Sequence, residues 1–137
     1  MKKIINYTFI IGSLAALIFC TGCKKKVSGC MNTAADNFNR DATSDDGSCQ
    51  FSGDITFYYR AAQSSSITTA ANPATVTING QVGYITVNLP YEATCNLSGC
   101  ANFHLPTGNY NYTAKNLTQT WQGIATVGKE CNIVLIQ

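Results

Sequence analysis

The chain has 137 residues and a formal net charge of +2 at pH 7, with nine basic and seven acidic residues. Two of the basic residues, Lys2 and Lys3, lie at the extreme N-terminus, and beyond them the charges balance at seven of each sign. A neutral chain has no basic field of the kind that nucleic-acid binding requires, so no nucleic-acid partner is expected. The length predicts one small domain with a short appendage.

The first 22 residues have the layout of a secretory signal peptide. Lys2 and Lys3 supply the positive start, an apolar run spans residues 9–19, and the small pair Thr21-Gly22 precedes Cys23. The apolar run is shorter than the roughly 20 residues that a transmembrane helix needs. We therefore expect residues 1–22 to be a helical signal segment that directs export.

The residues around Cys23 resemble the lipobox of bacterial lipoproteins. This resemblance implies removal of residues 1–22 and acylation of Cys23 on its sulfur and its new N-terminus, although Cys20 occupies the position three before the cysteine, which is usually Leu. Several acyl chains together give stable membrane attachment. The alternatives are a signal peptide that is cut elsewhere and an uncleaved N-terminal anchor.

Residues 23–29 would then form an acylated basic tether. Lys24, Lys25 and Lys26 follow the cysteine, and each basic residue near an anionic lipid surface adds about 1 kcal/mol of attraction. In the lipoprotein family a non-acidic residue after the cysteine permits transfer to the outer membrane, and Lys24 meets that condition. The resemblance thus implies an outer-membrane lipoprotein of the cell envelope, with the membrane as its partner.

Residues 30–50 form a second unit, rich in Asp, Asn, Ser and Gly, with cysteines at positions 30 and 49. It resembles a short cysteine-bounded acidic repeat of secreted and surface proteins in Gram-negative bacteria, through Gly29-Cys30 and the closing run Asp45-Asp46-Gly47-Ser48-Cys49. The resemblance implies a compact spacer module rather than an enzyme. A Cys30–Cys49 disulfide would stabilise it by about 3 kcal/mol, and exported thiols normally oxidise.

The acidic side chains of this module are candidate calcium ligands. Asp41, Asp45 and Asp46, helped by Asn37 and Asn39, carry the hard oxygen atoms that Ca²⁺ prefers. Their spacing does not match the EF-hand loop. The alternative is that these residues cap turns, for which Asp, Asn and Gly are the usual choice. A structural calcium ion is the one cofactor that the sequence suggests.

Residues 51–137 alternate between apolar and polar side chains, as half-buried strands do. Ile55, Phe57 and Tyr59 share one face of the first strand, and Asn79-Gly80 is a strong hairpin signal. In the last strand either Cys131, Ile133 and Leu135 or Val134 and Ile136 face the core. About seven short strands separated by turn signals predict an all-β fold, a small antiparallel β-sandwich.

The C-terminal half of this domain resembles prealbumin-like and carboxypeptidase-regulatory-like sandwiches of exported bacterial proteins. The resemblance rests on the hairpin Leu105-Pro106-Thr107-Gly108-Asn109-Tyr110 and on the surrounding cysteines. Relatives often carry a further cysteine that pairs with the late one, and this chain lacks it. We expect a Cys95–Cys100 disulfide with Cys131 buried and free; a bond from Cys131 to Cys95 or Cys100 is the alternative.

No catalytic constellation is evident in the sequence. His104 is the single histidine, on the outward face of its strand, and no Ser or Cys nucleophile with an Asp orienter accompanies it.

The outward tyrosines Tyr58, Tyr84 and Tyr91 are candidates for stacking on a glycan or contacting a protein, with cross-strand pairing as the alternative. The sequence therefore favours a structural or adhesive role, and the alternative is a carbohydrate- or ligand-binding module of an outer-membrane uptake system.

Overall fold

A computed structural model describes residues 25–60 and 71–137. These ranges contain ten strands and no helix. The strands are β1 Ser28–Gly29, β2 Ser44–Asp45, β3 Ser52–Arg60, β4 Ala74–Ile78, β5 Gln81–Ile85, β6 Asn88–Leu89, β7 Ala101–Pro106, β8 Gly108–Lys115, β9 Thr120–Val127 and β10 Asn132–Leu135. The predicted signal segment and Cys23 lie outside the described residues. Within those residues, no helix has the length and apolarity needed to cross a membrane.

Two four-stranded sheets form the body of the protein, which confirms the prediction of an all-β sandwich. The β8 sheet has the order β5-β4-β8-β9 and is antiparallel throughout. The β3 sheet is organised around β3, with β10 on one side and with β7 and β6 on the other. β7 is antiparallel to β3, whereas β10 and β6 are parallel to it, so this sheet is mixed.

Residues 84–89 alternate between apolar and polar side chains, a pattern that predicts one strand. In the structure these residues are divided between the two sheets. β5 ends at Ile85 in the β8 sheet, and β6 begins at Asn88 in the β3 sheet. Between them, the backbone N–H of Thr86 donates to the carbonyl oxygen of Gly99 at 2.8 Å. The chain therefore crosses from one sheet to the other at this point, a change that apolar alternation alone does not reveal.

The core lies between the sheets and is centred on the inward face of β3. Ile55 and Phe57 are completely buried there, and the Phe57 ring contacts Phe103 and Tyr112 with centroid distances of 5.9 and 4.9 Å. Edge-on and tilted arrangements such as these are favourable for aromatic pairs. The last strand uses the second of the two predicted registers, with Val134 and Ile136 packed against the core.

Tyr59 closes the core at the end of β3. Its ring packs against Trp121 at 5.3 Å between centroids. Its hydroxyl is buried and has no hydrogen-bond partner among the described residues. Burial, with a smaller contribution from Tyr112, raises the pKa of Tyr59 far above its ordinary value, so the phenol stays protonated.

The cysteine-bounded module packs against the start of β3. The Cys30–Cys49 disulfide closes it, and β1 pairs with β2 inside it. The Ser52 hydroxyl donates to an Asp36 carboxylate oxygen at 2.8 Å, and the Thr107 N–H donates to the Phe51 carbonyl at 2.9 Å. The module is thus joined to the sandwich by the Asp36–Ser52 hydrogen bond as well as by the chain, and Thr107 holds Phe51, the first residue after the module.

These contacts define two ends of the sandwich. The module end carries the turn at Thr107, where β8 begins. β8 is eight residues long and leads away from this turn. At the usual rise of a strand its length is about 26 Å. The turn between β8 and β9 is therefore at the opposite end, which we call the tip end.

The structure joins Cys95 to Cys131, with 6.1 Å between their Cα atoms, and leaves Cys100 free and buried. The expected Cys95–Cys100 disulfide with a free Cys131 is therefore wrong, and one of the two alternatives is correct. The reason lies in the register. Cys95 directly precedes Asn96, whose side chain donates to Asp54. Cys131 directly precedes Asn132, which pairs with Ile55 next to Asp54, whereas Cys100 directly precedes Ala101, which pairs with Phe57 farther along β3.

Peptide mapping without reduction should therefore recover Cys95 joined to Cys131 and Cys100 as a free thiol. Replacing Cys95 and Cys131 together by Ser should lower the free energy of unfolding by about 2–4 kcal/mol, because the unfolded chain is no longer constrained. Chemical denaturation measures this difference. Cys100→Ala is the matched control and should cost only about 1 kcal/mol, from the buried surface of one sulfur atom. Recovery of a Cys95–Cys100 peptide would contradict the connectivity.

Candidate functional site

The outer face of β3 is covered by the loop that follows β6. Thr56 is completely buried, and its hydroxyl donates to the Asn102 side-chain oxygen at 2.7 Å while accepting the N–H of Asn96 at 3.0 Å. The Asn102 side-chain amide in turn donates to the carbonyl of Leu97 at 3.0 Å. This network attaches the loop to β3 and β7 over the face that points away from the core.

Tyr58 lies under the same loop and is not an exposed binding platform. Only 2% of its surface is exposed, and it packs with Leu89, Ala93 and Cys100 in a second apolar cluster. The prediction that Tyr58 binds a ligand is therefore wrong, because the outward face of its strand is covered. Tyr84 on β5 and Tyr91 after β6 are 55% and 59% exposed.

His104 belongs to a polar cluster at the border of the covered face. Its Nδ1 lies 2.7 Å from an Asp54 carboxylate oxygen, and the Asn96 side-chain amide donates to the other oxygen at 2.9 Å. Two hydrogen bonds, first that of His104 and then that of Asn96, lower the pKa of Asp54 below its ordinary value. His104 itself is 68% exposed. Asp54 thus connects β7 and the loop through one carboxylate.

The carboxylates of the module are not assembled into a calcium site. In the described residues no three His, Cys, Asp or Glu side chains come together in a way that could hold a metal ion. The Asp45 and Asp46 side chains instead accept the N–H groups of Gly47 and Ser48, each at 3.0 Å. Hydrogen bonds from the side chain and backbone of Ser48 lower the pKa of Asp46. In the same way the Asn39 side-chain oxygen accepts the backbone N–H of Asp41.

These contacts are turn caps, the second of the two sequence interpretations. Asn37 instead connects the first half of the module to its end, since its amide donates to the Ser48 carbonyl at 2.6 Å and its oxygen accepts the Gln50 N–H at 2.8 Å. Gly47 adopts a φ of 72°, in the left-handed region that favours glycine. The Asp-Asp-Gly-Ser run is therefore explained by turn geometry.

A shallow groove of about 420 Å³ lies along β8 and β9 in the β8 sheet. The cross-strand pairs Asn111–Ile124 and Thr113–Gln122 line it, and Ile124 is 72% exposed. Its side chains are amides, a hydroxyl and apolar groups, with no charge among the lining residues. Such a surface suits a neutral, hydroxyl-rich molecule, because amides both donate and accept hydrogen bonds.

Sequence reasoning missed Asn96, Asp54 and this groove. The Asp54–His104 contact joins residues 50 positions apart, and the Asn96–Asp54 contact joins residues 42 positions apart. The one usable signal was the alternation in β8 and β9, which places Asn111, Thr113, Gln122 and Ile124 on the outward face once the two strands are paired. Nothing in the sequence pointed to Asn96 as the residue that contacts β3.

No protein family and no curated protein matches this chain. Among solved structures the chain is similar to the Bacillus anthracis TIE protein, with 14% sequence identity and a TM-score of 0.35. The similarity covers 64% of this chain and 16% of the other, so the chain spans about a sixth of that protein.

The Asp54 cluster predicts a defined pH response. A carboxyl whose pKa is lowered by folding contributes stability above its unfolded pKa, and this contribution is lost as the pH falls through the lowered folded pKa. Carbon-13 NMR should show the Asp54 carboxyl titrating with a pKa below the ordinary value of an aspartate. In His104→Ala the midpoint should rise because the first of its two hydrogen bonds is lost. Asp46, whose pKa is lowered by Ser48 and which lies outside this cluster, is the internal control, and an unchanged Asp54 midpoint would contradict the assignment.

Proposed function

We propose that this protein is an exported lipoprotein of the cell envelope, anchored through Cys23 at the outer membrane, whose β-sandwich has a structural or adhesive role and no catalytic one. The observation that carries the proposal is the pair of disulfides, Cys30–Cys49 and Cys95–Cys131. Disulfides persist in oxidising compartments and are rare where thiols are kept reduced. They agree with the export signal read from residues 1–22.

The connection between the module and the sandwich supports a role in which the module holds the sandwich away from the membrane surface. The Asp36–Ser52 hydrogen bond joins the module to β3, and Phe51, the first residue after the module, is held by the Thr107 N–H and by Lys129, whose Nζ lies 3.5 Å from the ring centroid. Cation–π contacts of this kind contribute about 0.5–1 kcal/mol at exposed sites. A lipid anchor at Cys23, six residues before the buried Gly29, would therefore bring the module end towards the membrane and direct the tip end away from it.

The tip end has the character of a contact surface. The turn between β8 and β9 is ordered by Asn116, whose side-chain oxygen accepts the N–H groups of Thr118 and Gln119 at 2.9 and 2.7 Å. Leu117 lies at this turn and is 79% exposed. An apolar side chain on a well-ordered turn is available to a partner at small entropic cost, which suits adhesion.

Cys23→Ala should release the protein from membranes, because no acyl chains can then be attached. Fractionation of cells that express the full chain, followed by immunoblotting of membrane and soluble fractions, measures this. Cys20→Ala is the matched control, since it removes a neighbouring cysteine of the leader but leaves the acylation site. A Cys23→Ala variant that stays in the membrane fraction would exclude lipid anchoring at this residue.

A second candidate function, binding of a neutral glycan, is favoured by the groove along β8 and β9. Its amide and hydroxyl side chains from Asn111, Thr113 and Gln122 provide donors and acceptors, and Ile124 provides an apolar surface. Exposed Tyr84 lies on β5, in the same sheet. With Tyr58 buried, the outer face of this sheet supplies the surface for such a ligand, and Tyr91 lies apart from it in the loop after β6.

A glycan array distinguishes the two functions. If the groove binds a glycan, the wild-type protein should retain specific glycans, and Asn111→Ala combined with Gln122→Ala should reduce that signal about tenfold or more, as expected for the loss of one or two good hydrogen bonds. Thr120→Ala, exposed on β9 outside the groove, should bind as wild type. Tyr84→Ala and Tyr91→Ala test the two exposed tyrosines. An array without any wild-type signal excludes the glycan function.

A further inference from the structure

The strand β9 forms an open edge of the β8 sheet. Over its eight residues, Thr120–Val127, it pairs with β8 on one side, and within the described residues no strand pairs with its other side. Such an edge carries a row of backbone N–H and C=O groups that can accept another strand. Native proteins normally protect an edge of this length.

The protection that such edges usually carry is missing here. From Asn116 to Gly128 the sequence contains no charged residue and no proline, and charges and prolines are the common means of preventing edge pairing. Thr, Trp, Ile and Val in β9 favour extended structure. Ile124, in the middle of the strand, exposes 72% of its surface. The sequence of β9 is that of a strand suited to pairing.

The other edge strands of the two sheets are shorter than β9. β5, the opposite edge of the β8 sheet, has five residues with Gly83 at its centre, and glycine weakens a strand interior. β10, an edge of the β3 sheet, has only four residues, and Lys129 and Glu130 precede it at the start of the connection. β9 is therefore the edge strand that offers a partner the longest uncharged row of backbone groups.

We propose that β9 pairs in antiparallel fashion with β9 of a second copy of this chain, so that the two β8 sheets become one continuous sheet. A two-fold contact requires a surface that is complementary to itself. With the axis at Ile124, each Ile124 lies opposite its counterpart, and Gln122 lies opposite Thr126 of the other copy. The uncharged run places no like charges opposite each other, and side chains at directly opposed positions are within contact distance.

The direction of β9 determines how the two copies are oriented. β9 begins beside Lys115 at the tip end and finishes beside Gly108 at the module end. An antiparallel pair therefore carries its two modules at opposite ends. If both copies are lipid-anchored, which rests on the proposed function, this arrangement suits anchors in two facing membranes better than anchors side by side in one.

Site-specific cross-linking of the detergent-solubilised full chain tests the pairing. Ile124→Cys should give a band of twice the monomer mass on a non-reducing gel after mild oxidation, because the two introduced thiols are adjacent at the axis. Val82→Cys is the matched control, since Val82 is 53% exposed on the shorter edge strand β5; it should remain monomeric. Absence of the Ile124→Cys dimer, or equal cross-linking of both variants, overturns the proposal.

A charge at the axis supplies an independent measurement. Ile124→Lys places two ammonium groups opposite each other and should raise the dimer dissociation constant of the detergent-solubilised full chain about tenfold or more in sedimentation experiments. Val82→Lys should leave it unchanged. Circular dichroism and peptide mapping verify that both variants keep the β fold and the two disulfides. A wild-type chain that is monomeric at every concentration overturns the proposal.

Vesicles carrying the full chain test the orientation of the pair. Wild-type protein should cluster vesicles, Ile124→Lys should not, and Val82→Lys should behave as wild type. Cross-linking at Ile124 without vesicle clustering overturns the bridging of two membranes while supporting the pairing. The proposed function is tested independently of the pairing, because it is wrong if the full chain does not fractionate with membranes.

Discussion

The burial of β3 on both faces is the constraint on which the rest of the structure depends. Its inward side chains, Ile55 and Phe57, are completely buried against the β8 sheet, and its outward side chains, Thr56 and Tyr58, are buried beneath the loop that follows β6. A strand that is covered on both faces needs neighbours on both sides to satisfy its backbone groups. β10 and β7 supply them, and the parallel pairing of β10 brings Cys131 to the position where the loop crosses. The packing of the two sheets, the position of the loop and the second disulfide therefore all follow from the burial of β3 on both faces.

Much of the fold could be predicted because it depends on local patterns. Alternation placed Ile55, Phe57 and Tyr59 in the core, and all three are buried there. The pair Asn79-Gly80 predicted a tight hairpin, and both residues have positive φ, 48° and 73°, as that turn requires. The cysteine-bounded module closes through its own two cysteines, 19 positions apart. In the hairpin and the module the interacting residues lie close in sequence. In β3 the side of the strand on which a residue lies determines whether it is buried in the core.

The errors arise where distant segments meet. Alternation assigns Tyr58 to the outward face of its strand, but it does not indicate whether another segment covers that face. The Cys95–Cys131 bond joins residues 36 positions apart, and its formation depends on β10 being parallel to β3, which no local signal in the sequence specifies. The same limitation applies to Asp54, which receives its two partners from β7 and from the loop. Candidate site residues were therefore harder to predict than core residues, because they depend on pairing and not on periodicity.

Cys100, the free cysteine of the described residues, lies where it does not disturb the second disulfide. Cys100 is a potential competitor for Cys95, since thiol–disulfide exchange begins with attack of a thiolate on a disulfide. Burial beside Tyr58, Leu89 and Ala93 raises the pKa of the Cys100 thiol, so the thiolate is scarce at neutral pH. The apolar cluster that covers the outer face of β3 thus also protects the Cys95–Cys131 bond from rearrangement. A free cysteine is compatible with a disulfide elsewhere in the same domain when the packing that buries it also keeps it protonated.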